Sequence, residues 1–222
     1  MTIETMTGFG YSLRQQVDGG KMEKSYAVNL LATVNVVMRL LRSDNKIRVK
    51  PSKIIGKRSY VRYVPPAGKN LDHFIKAIDE LVENDNEREA AVLLLARMFG
   101  LRLREACLLD ASTATREAKA TKLISIARGT KGGRGKKVIR HFPVEKDGMA
   151  ALLYASQLQS DLSCLVPPEM SLVQFMSRVR RSWNKVRNKY ELGKIHDLRA
   201  AAACDLYEKI SNFPAPVMIQ EG

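Results

Sequence analysis

Acidic residues are scarce in this 222-residue chain, where 23 Asp and Glu stand against 37 Lys and Arg for a formal net charge of +14. That imbalance points to a polyanionic partner, without separating DNA from RNA or from an anionic membrane surface. Cysteine is sparse too: Cys107, Cys164 and Cys204 are odd in number and far apart, with no Cys-x-x-Cys pair, and there are only three histidines. These numbers leave no ligand set for zinc and no disulfide framework; the cysteines read as buried free thiols, and no metal or other cofactor is expected. Nor is there a long apolar run. The longest, Ala90 to Ala96, stops at Arg97, far short of the roughly 20 residues of a membrane-spanning helix. Met1 to Glu4 lack a basic stretch leading into an apolar one, so a cytoplasmic protein with no membrane partner is expected. Aromatic residues make up 6% of the chain, and no aromatic stacking motif is visible, which counts against a reader of single-stranded RNA.

What the chain does have is 45% hydrophobic residues, enough to fill a core and to exclude global disorder, at a length that suits one large or two small domains. Its positive charge is clustered. Arg39 to Arg62 holds nine basic residues and one acid, Asp44; Arg128 to Arg140 and Arg178 to Lys189 hold six basic residues each and no acid. Lys69 to Ala90 reverses the balance with seven acids and three basic residues, so part of the surface faces away from a polyanion.

Residues 1 to 24 are polar and Gly-rich and read as a loose arm. Tyr26 to Arg42 reads as a helix with Val28, Leu31, Val34, Val37 or Met38, and Leu41 on one face. The basic segment after it, broken by Pro51, Gly56, Pro65, Pro66 and Gly68, reads as a linker able to lie along phosphates. A domain boundary near 65 to 70 follows. Asn70 caps an amphipathic helix whose apolar face is Leu71, Phe74, Ile75, Ile78, Leu81 and Val82. Glu87 to Phe99 is apolar nearly all round, a core helix ended by Gly100. Lys122 to Ala127 and Lys137 to Val144 read as strands joined by a loop with four glycines, Gly129, Gly132, Gly133 and Gly135. Helices are expected again over Glu145 to Gln159, Ser171 to about Tyr190 with Trp183 as a core anchor, and His196 to Ile210. The fold class is therefore mainly α with a small antiparallel β hairpin (α+β).

Three separated segments carry the candidate chemistry: Gly100-Leu101-Arg102-Leu103-Arg104-Glu105-Ala106, Gly129-Thr130-Lys131-Gly132-Gly133-Arg134, and His196-Asp197-Leu198-Arg199. Each has an ordinary alternative: a surface arginine after a helix cap, a basic loop where Arg134, Lys136 or Lys137 serves as well as Lys131, and a capping or core histidine. In this order, and in a helix, hairpin, helix setting, they resemble the tyrosine recombinase (phage integrase) family over about Leu71 to Asn212. The resemblance implies phosphodiester exchange on duplex DNA without metal or ATP, through a 3′-phosphotyrosyl link that frees a 5′-hydroxyl. Arg102 and Arg199 take the place of the clamp on the non-bridging oxygens, where a planar, always-charged fork suits a phosphate better than a point charge. Lys131 takes the place of the general acid on the leaving oxygen. His196, on the same helical face as Arg199, hydrogen-bonds the phosphate or exchanges the nucleophile's proton. Glu105 is expected to orient its surroundings.

The pattern departs from the family's after Arg199. The next residue is Ala200 where a His is common, and the 23 residues beyond Arg199 contain no Gly-His pair and one tyrosine, Tyr207. Eight residues of helix span about 12 Å, which is not the family's spacing, so Tyr207 reads as a packing residue. The expected organisation is an N-terminal helical DNA-binding (core-binding-like) arm and basic linker over 1–66, partial, and an integrase-like catalytic domain over 67–222, C-terminally incomplete. Lys50, Lys53, Lys57, Arg58, Arg134, Lys136 and Lys137 are expected to contact DNA. In its intact form the protein is expected to integrate or recombine the DNA of a mobile element, self-associating on DNA as a recombinase tetramer in the bacterial cytoplasm or nucleoid. The alternatives are a truncated DNA-binding remnant that cannot cut, and a basic RNA-binding protein in which the motifs are coincidental.

Overall fold

The computed structural model describes residues 2–59, 61–130, 139–159 and 162–219. They divide into two compact units, Met1–Arg62 and Tyr63–Gly222.

In the N-terminal unit, helix α1 (Ile3–Asp18) occupies the segment expected to be a loose arm. Two features of the sequence explain the helix. Thr2 caps it, its hydroxyl accepting from the Thr5 amide at 3.2 Å, and Met6, Gly10, Leu13 and Val17 recur three and four residues apart. Gly10 lets Leu31 and Ile54 pack closely, since a Cβ there would lie 3.1 Å from each. Helix α2 (Lys24–Arg42) forms where expected, but it buries Ala27, Leu31 and Met38, and Val37 and Leu41 face outward. The basic segment is not a plain linker either. Pro51 starts a one-turn helix, α3 (Pro51–Ile54), and Val49, Ile54 and Ile55 join the core of this unit. Asn35 pins the returning chain, its side chain donating to the Val49 carbonyl at 2.9 Å and accepting from the Val49 amide at 3.0 Å.

The larger unit is built around helix α5 (Glu87–Met98), whose Ala90 to Ala96 stretch is almost wholly buried. Helices α4 (Leu71–Glu83), α8 (Lys146–Gln159), α9 (Leu172–Val186) and α10 (Ile195–Ser211) pack against it or against one another. Asn70 caps α4 by accepting from the His73 amide at 3.0 Å, and Ser171 caps α9 in a reciprocal box with Gln174. Trp183 is the anchor its spacing predicts: it tilts against Phe74 at 6.1 Å between ring centroids and donates its indole N–H to the Gly193 carbonyl at 2.9 Å. Burying Phe74, Phe175 and Trp183 contributes on the order of 2–3 kcal/mol each. Two elements not anticipated are the short helix α6 (Leu103–Leu108) and helix α7 (Ala111–Thr121). The latter buries only Ala111, Ala114, Thr115 and Ala118, too weak an apolar signal to read. Strands β1 (Leu123–Ile126) and β2 (Arg140–Pro143) pair antiparallel, with Ile126 opposite Arg140 and Leu123 opposite Pro143.

Tyr207 does not pack as expected. It is 44% exposed on α10. Cys107 and Cys204 are buried, Cys164 is half-buried, and none of the three forms a disulfide. Among the described residues no helix is long and apolar enough to cross a membrane.

Candidate active site

The path to the site starts at Gly100. Its φ of +57° ends α5 in the left-handed region that glycine adopts without strain, and the chain turns directly into α6. Arg102 stands at the N-cap of α6. Glu105, three residues on, folds back so that its carboxylate accepts from the Arg102 amide at 2.8 Å and from Arg102 Nη1 at 2.8 Å. The capping geometry and the site are therefore one structure. Glu105 is fully buried.

Two further guanidinium groups reach the same carboxylate. Arg140 of β2 places Nη2 at 2.6 Å from Glu105 Oε2, and Arg199 of α10 places Nη1 at 3.8 Å from that oxygen. Arg199 also donates to the Gly100 carbonyl, which ties α10 to the turn that begins the site. Burial alone raises the Glu105 pKa, but the hydrogen bonds from the Arg102 amide and side chain and the adjacent positive charge of Arg140 outweigh it, and the carboxyl is held below the usual range. Arg199 is shifted down, by burial first and then by Arg102 and Arg140, with Glu105 opposing. It stays charged at neutral pH, as arginine does.

Arg102, His196 and Arg199 line one groove of about 600 Å³, together with Arg180, Arg187 and Lys194 over a floor that includes Trp183 and Met176. His196 is exposed near the start of α10, one turn before Arg199. His196 and Arg199 also border a second groove of about 430 Å³, whose other walls include Phe99, Phe142, Ala203 and Leu206. Tyr207 lines neither groove. Of the residues singled out in the sequence, Arg102, His196 and Arg199 are thus brought together. Lys131, Arg134, Lys136 and Lys137 lie outside the described residues. Gly129, just before them, packs on Arg104: with φ +74°, a Cβ there would lie 3.1 Å from the Arg104 carbonyl oxygen.

The other expected DNA contacts belong to the N-terminal unit, where Lys50, Lys53 and Lys57 are exposed and Arg58 is half-buried, donating to the Asn29 side chain at 3.0 Å. Arg178 of α9 forms an ion pair with Glu89, a fully buried residue of α5. Arg140 ends the basic cluster that starts at Arg128, outside the three segments that carry the candidate chemistry. The signal lay in strand alternation: Arg140 and Phe142 are the half-buried residues of β2 and share a face, and the Arg140 guanidinium sits 5.3 Å from the Phe142 ring centre. Among the described residues, no group of three or more His, Cys, Asp and Glu side chains is placed to hold a metal ion.

A comparison with curated proteins finds no match. Among solved structures, the chain is similar to a lambda integrase (75–356) dimer bound to a COC′ core site, at 16% identity and a TM-score of 0.57 over 95% of this chain and 74% of that one. It is similar to the Tn1549 transposon integrase (82–397) in complex with circular intermediate DNA, at 13% identity and a TM-score of 0.56 over 98% and 76%. A lambda integrase tetramer bound to a Holliday junction matches at 17% identity and a TM-score of 0.53, over 94% of this chain and 58% of that one. At these identities the likeness is one of fold. A family model described as Integrase matches residues 59–205, more than half of the sequence. The chain belongs to the integrase family, the tyrosine recombinases.

Proposed function

We propose that this chain carries the phosphate-activating centre of a site-specific recombinase that acts on duplex DNA. The observation that carries this reading is the convergence of Arg102 and Arg199, from two separate helices, on one buried carboxylate beside a basic groove that His196 also lines. Guanidinium groups held in advance of substrate stabilise charge as it develops on the non-bridging oxygens, at no cost of reorganisation during the reaction. In the family's reaction a tyrosine hydroxyl gives up its proton as its oxygen bonds to phosphorus, the bond to the 5′-oxygen breaks, and that oxygen takes a proton. Lys131 is assigned as the donor of that proton, and His196 as a hydrogen-bond donor to the phosphate. Lys50, Lys53, Lys57 and Arg58 of the N-terminal unit, and Arg134, Lys136 and Lys137 from the sequence between β1 and β2, are assigned to backbone phosphates. The domains are assigned as a helical DNA-binding part over 1–66 and a catalytic part over 67–222. Self-association on DNA and action in the bacterial cytoplasm, on a mobile element, complete the reading; the dimer and tetramer of lambda integrase support the first.

A second reading, DNA binding without cleavage, takes its support from the placement of Tyr207 away from both grooves. One experiment addresses both. Fluorescence anisotropy with duplex DNA and with structured RNA, over a salt series, is expected to show preference for the duplex and affinity that falls steeply with salt. Arg102→Ala and Arg199→Ala are each expected to weaken duplex binding severalfold; unchanged binding in both removes them from the phosphate site. A detergent-resistant protein–DNA adduct on a nicked substrate rules out the second reading.

A further inference from the structure

Glu105 has more partners than a buried carboxylate requires. One guanidinium neutralises it, and Arg102 alone already contacts it at 2.8 Å while its amide satisfies the second oxygen. With Arg199, the other arginine assigned to the phosphate, the cluster carries one net positive charge. Arg140 adds a second. It is built for this position: β2 delivers it opposite Ile126, Phe142 on the same strand face packs against its guanidinium, and Nη2 is buried against Glu105 Oε2 at 2.6 Å. About a quarter of the side chain stays exposed, so the charge is not wholly sealed from solvent.

A phosphodiester carries one negative charge, and the five-coordinate phosphorus of strand transfer carries two. We propose that Arg140 is a charge-balancing and positioning residue of the phosphate site: through Glu105 it holds Arg102 and Arg199 in place, and it raises the net charge of the cluster from one to two. The site thereby favours a phosphate dianion over the monoanionic diester. An interaction stronger in the transition state than in the ground state is what accelerates a reaction, so the added charge acts on the chemical step more than on DNA binding. Arg140 shares Glu105 Oε2 with Arg199, which places the added charge beside the arginine assigned to the transferring oxygens. The inference rests on the phosphate-site reading given above.

The test uses the full chain and two short nicked duplexes of one sequence. The first has a 3′-phosphate at the nick, a dianion at pH 7.5; the second has its methyl ester, a monoanion at any pH. The wild-type chain is expected to bind the phosphate about tenfold more tightly than the ester, as one extra charge contact at partial burial allows, and to lose that preference by pH 5, where the phosphate holds a proton. Arg140→Gln is expected to reduce the preference to about twofold or less, and Arg140→Lys, which restores the charge, to keep it. Arg140→Met, of similar reach against Phe142, is the second neutral variant, should melting show that the glutamine protein does not fold. A role confined to structure lowers binding of both duplexes equally. Retention of the wild-type preference by the neutral variants overturns the inference, as does absence of a preference in wild type when Arg102→Ala still weakens binding to both duplexes. Absence of a preference together with no effect of Arg102→Ala is a different result, and removes the phosphate-site reading itself.

Discussion

Removing the Glu105 carboxylate is the most demanding perturbation of this structure. In Glu105→Ala three guanidinium groups lose their common counter-ion, and the Arg102 amide loses the acceptor that completes its cap. Breaking a buried ion pair from one side costs about 3–5 kcal/mol. The lower end applies here, because the arginine side chains keep 24–40% of their surface and water hydrates the charges left behind. Loss of the cap adds about 1 kcal/mol, for a sum near 4 kcal/mol. For a chain of this size that corresponds to a fall in Tm of roughly 8–15 °C. Scanning calorimetry at pH 7.5 measures it, with Glu105→Gln losing about half as much because its amide oxygen still accepts from Arg102. The sign with pH is fixed by the direction of the shift: the folded-state pKa lies below the ordinary value of 4.5, so the contribution is complete above that value and is lost as pH falls through the folded pKa. The gap between wild type and Glu105→Gln must therefore be level from pH 8 down to about 5 and close in stronger acid. A Tm within about 2 °C of wild type for Glu105→Ala, the range of a surface substitution, refutes the account of the cluster.

Two further outcomes follow from contacts outside the cluster. In Gly68→Ala the new Cβ would stand 2.9 Å from Leu198 Cδ2 and 3.3 Å from the Leu198 backbone nitrogen; backbone one residue before Arg199 cannot swing aside, so a loss of about 1–3 kcal/mol is expected, and an unchanged Tm shows that α10 gives way freely. The Cys107 thiol is pushed up to about 12, by burial first and then by the fields of Cys164 and Glu89; native protein at pH 8 is expected to label with a maleimide at half-buried Cys164 long before Cys107, and peptide mass mapping that finds comparable rates contradicts that burial.

Much of the fold is legible in the sequence, where periodicity and caps coincide. Asn70 with Phe74, Ile78 and Leu81 gives α4, the unbroken Ala90 to Ala96 stretch gives α5, and Ser171 with Val179, Trp183 and Val186 gives α9. Elements whose buried face is interrupted or built of small residues escape the same reading. Helix α1 breaks its Met6, Leu13 and Val17 stripe with Gly10, and α7 buries alanines and a threonine. The outward placement of Leu41 and Tyr207 is likewise invisible locally, because an apolar residue on a helix shows its face only once its neighbours are known.

For the site, sequence by itself determined the residue types and their order: Arg102 after a helix end, Glu105 three residues on, and His196 and Arg199 one turn apart. The tertiary structure decided that Glu105 is shared. Arg140 and Arg199 are distant from it along the chain, and only the packing of β2 and α10 against the Gly100 turn brings their charges onto one buried carboxylate. Helical spacing governs contacts within a few residues. The balance of charge at the site arises among groups on separate elements, and it is set by how those elements pack.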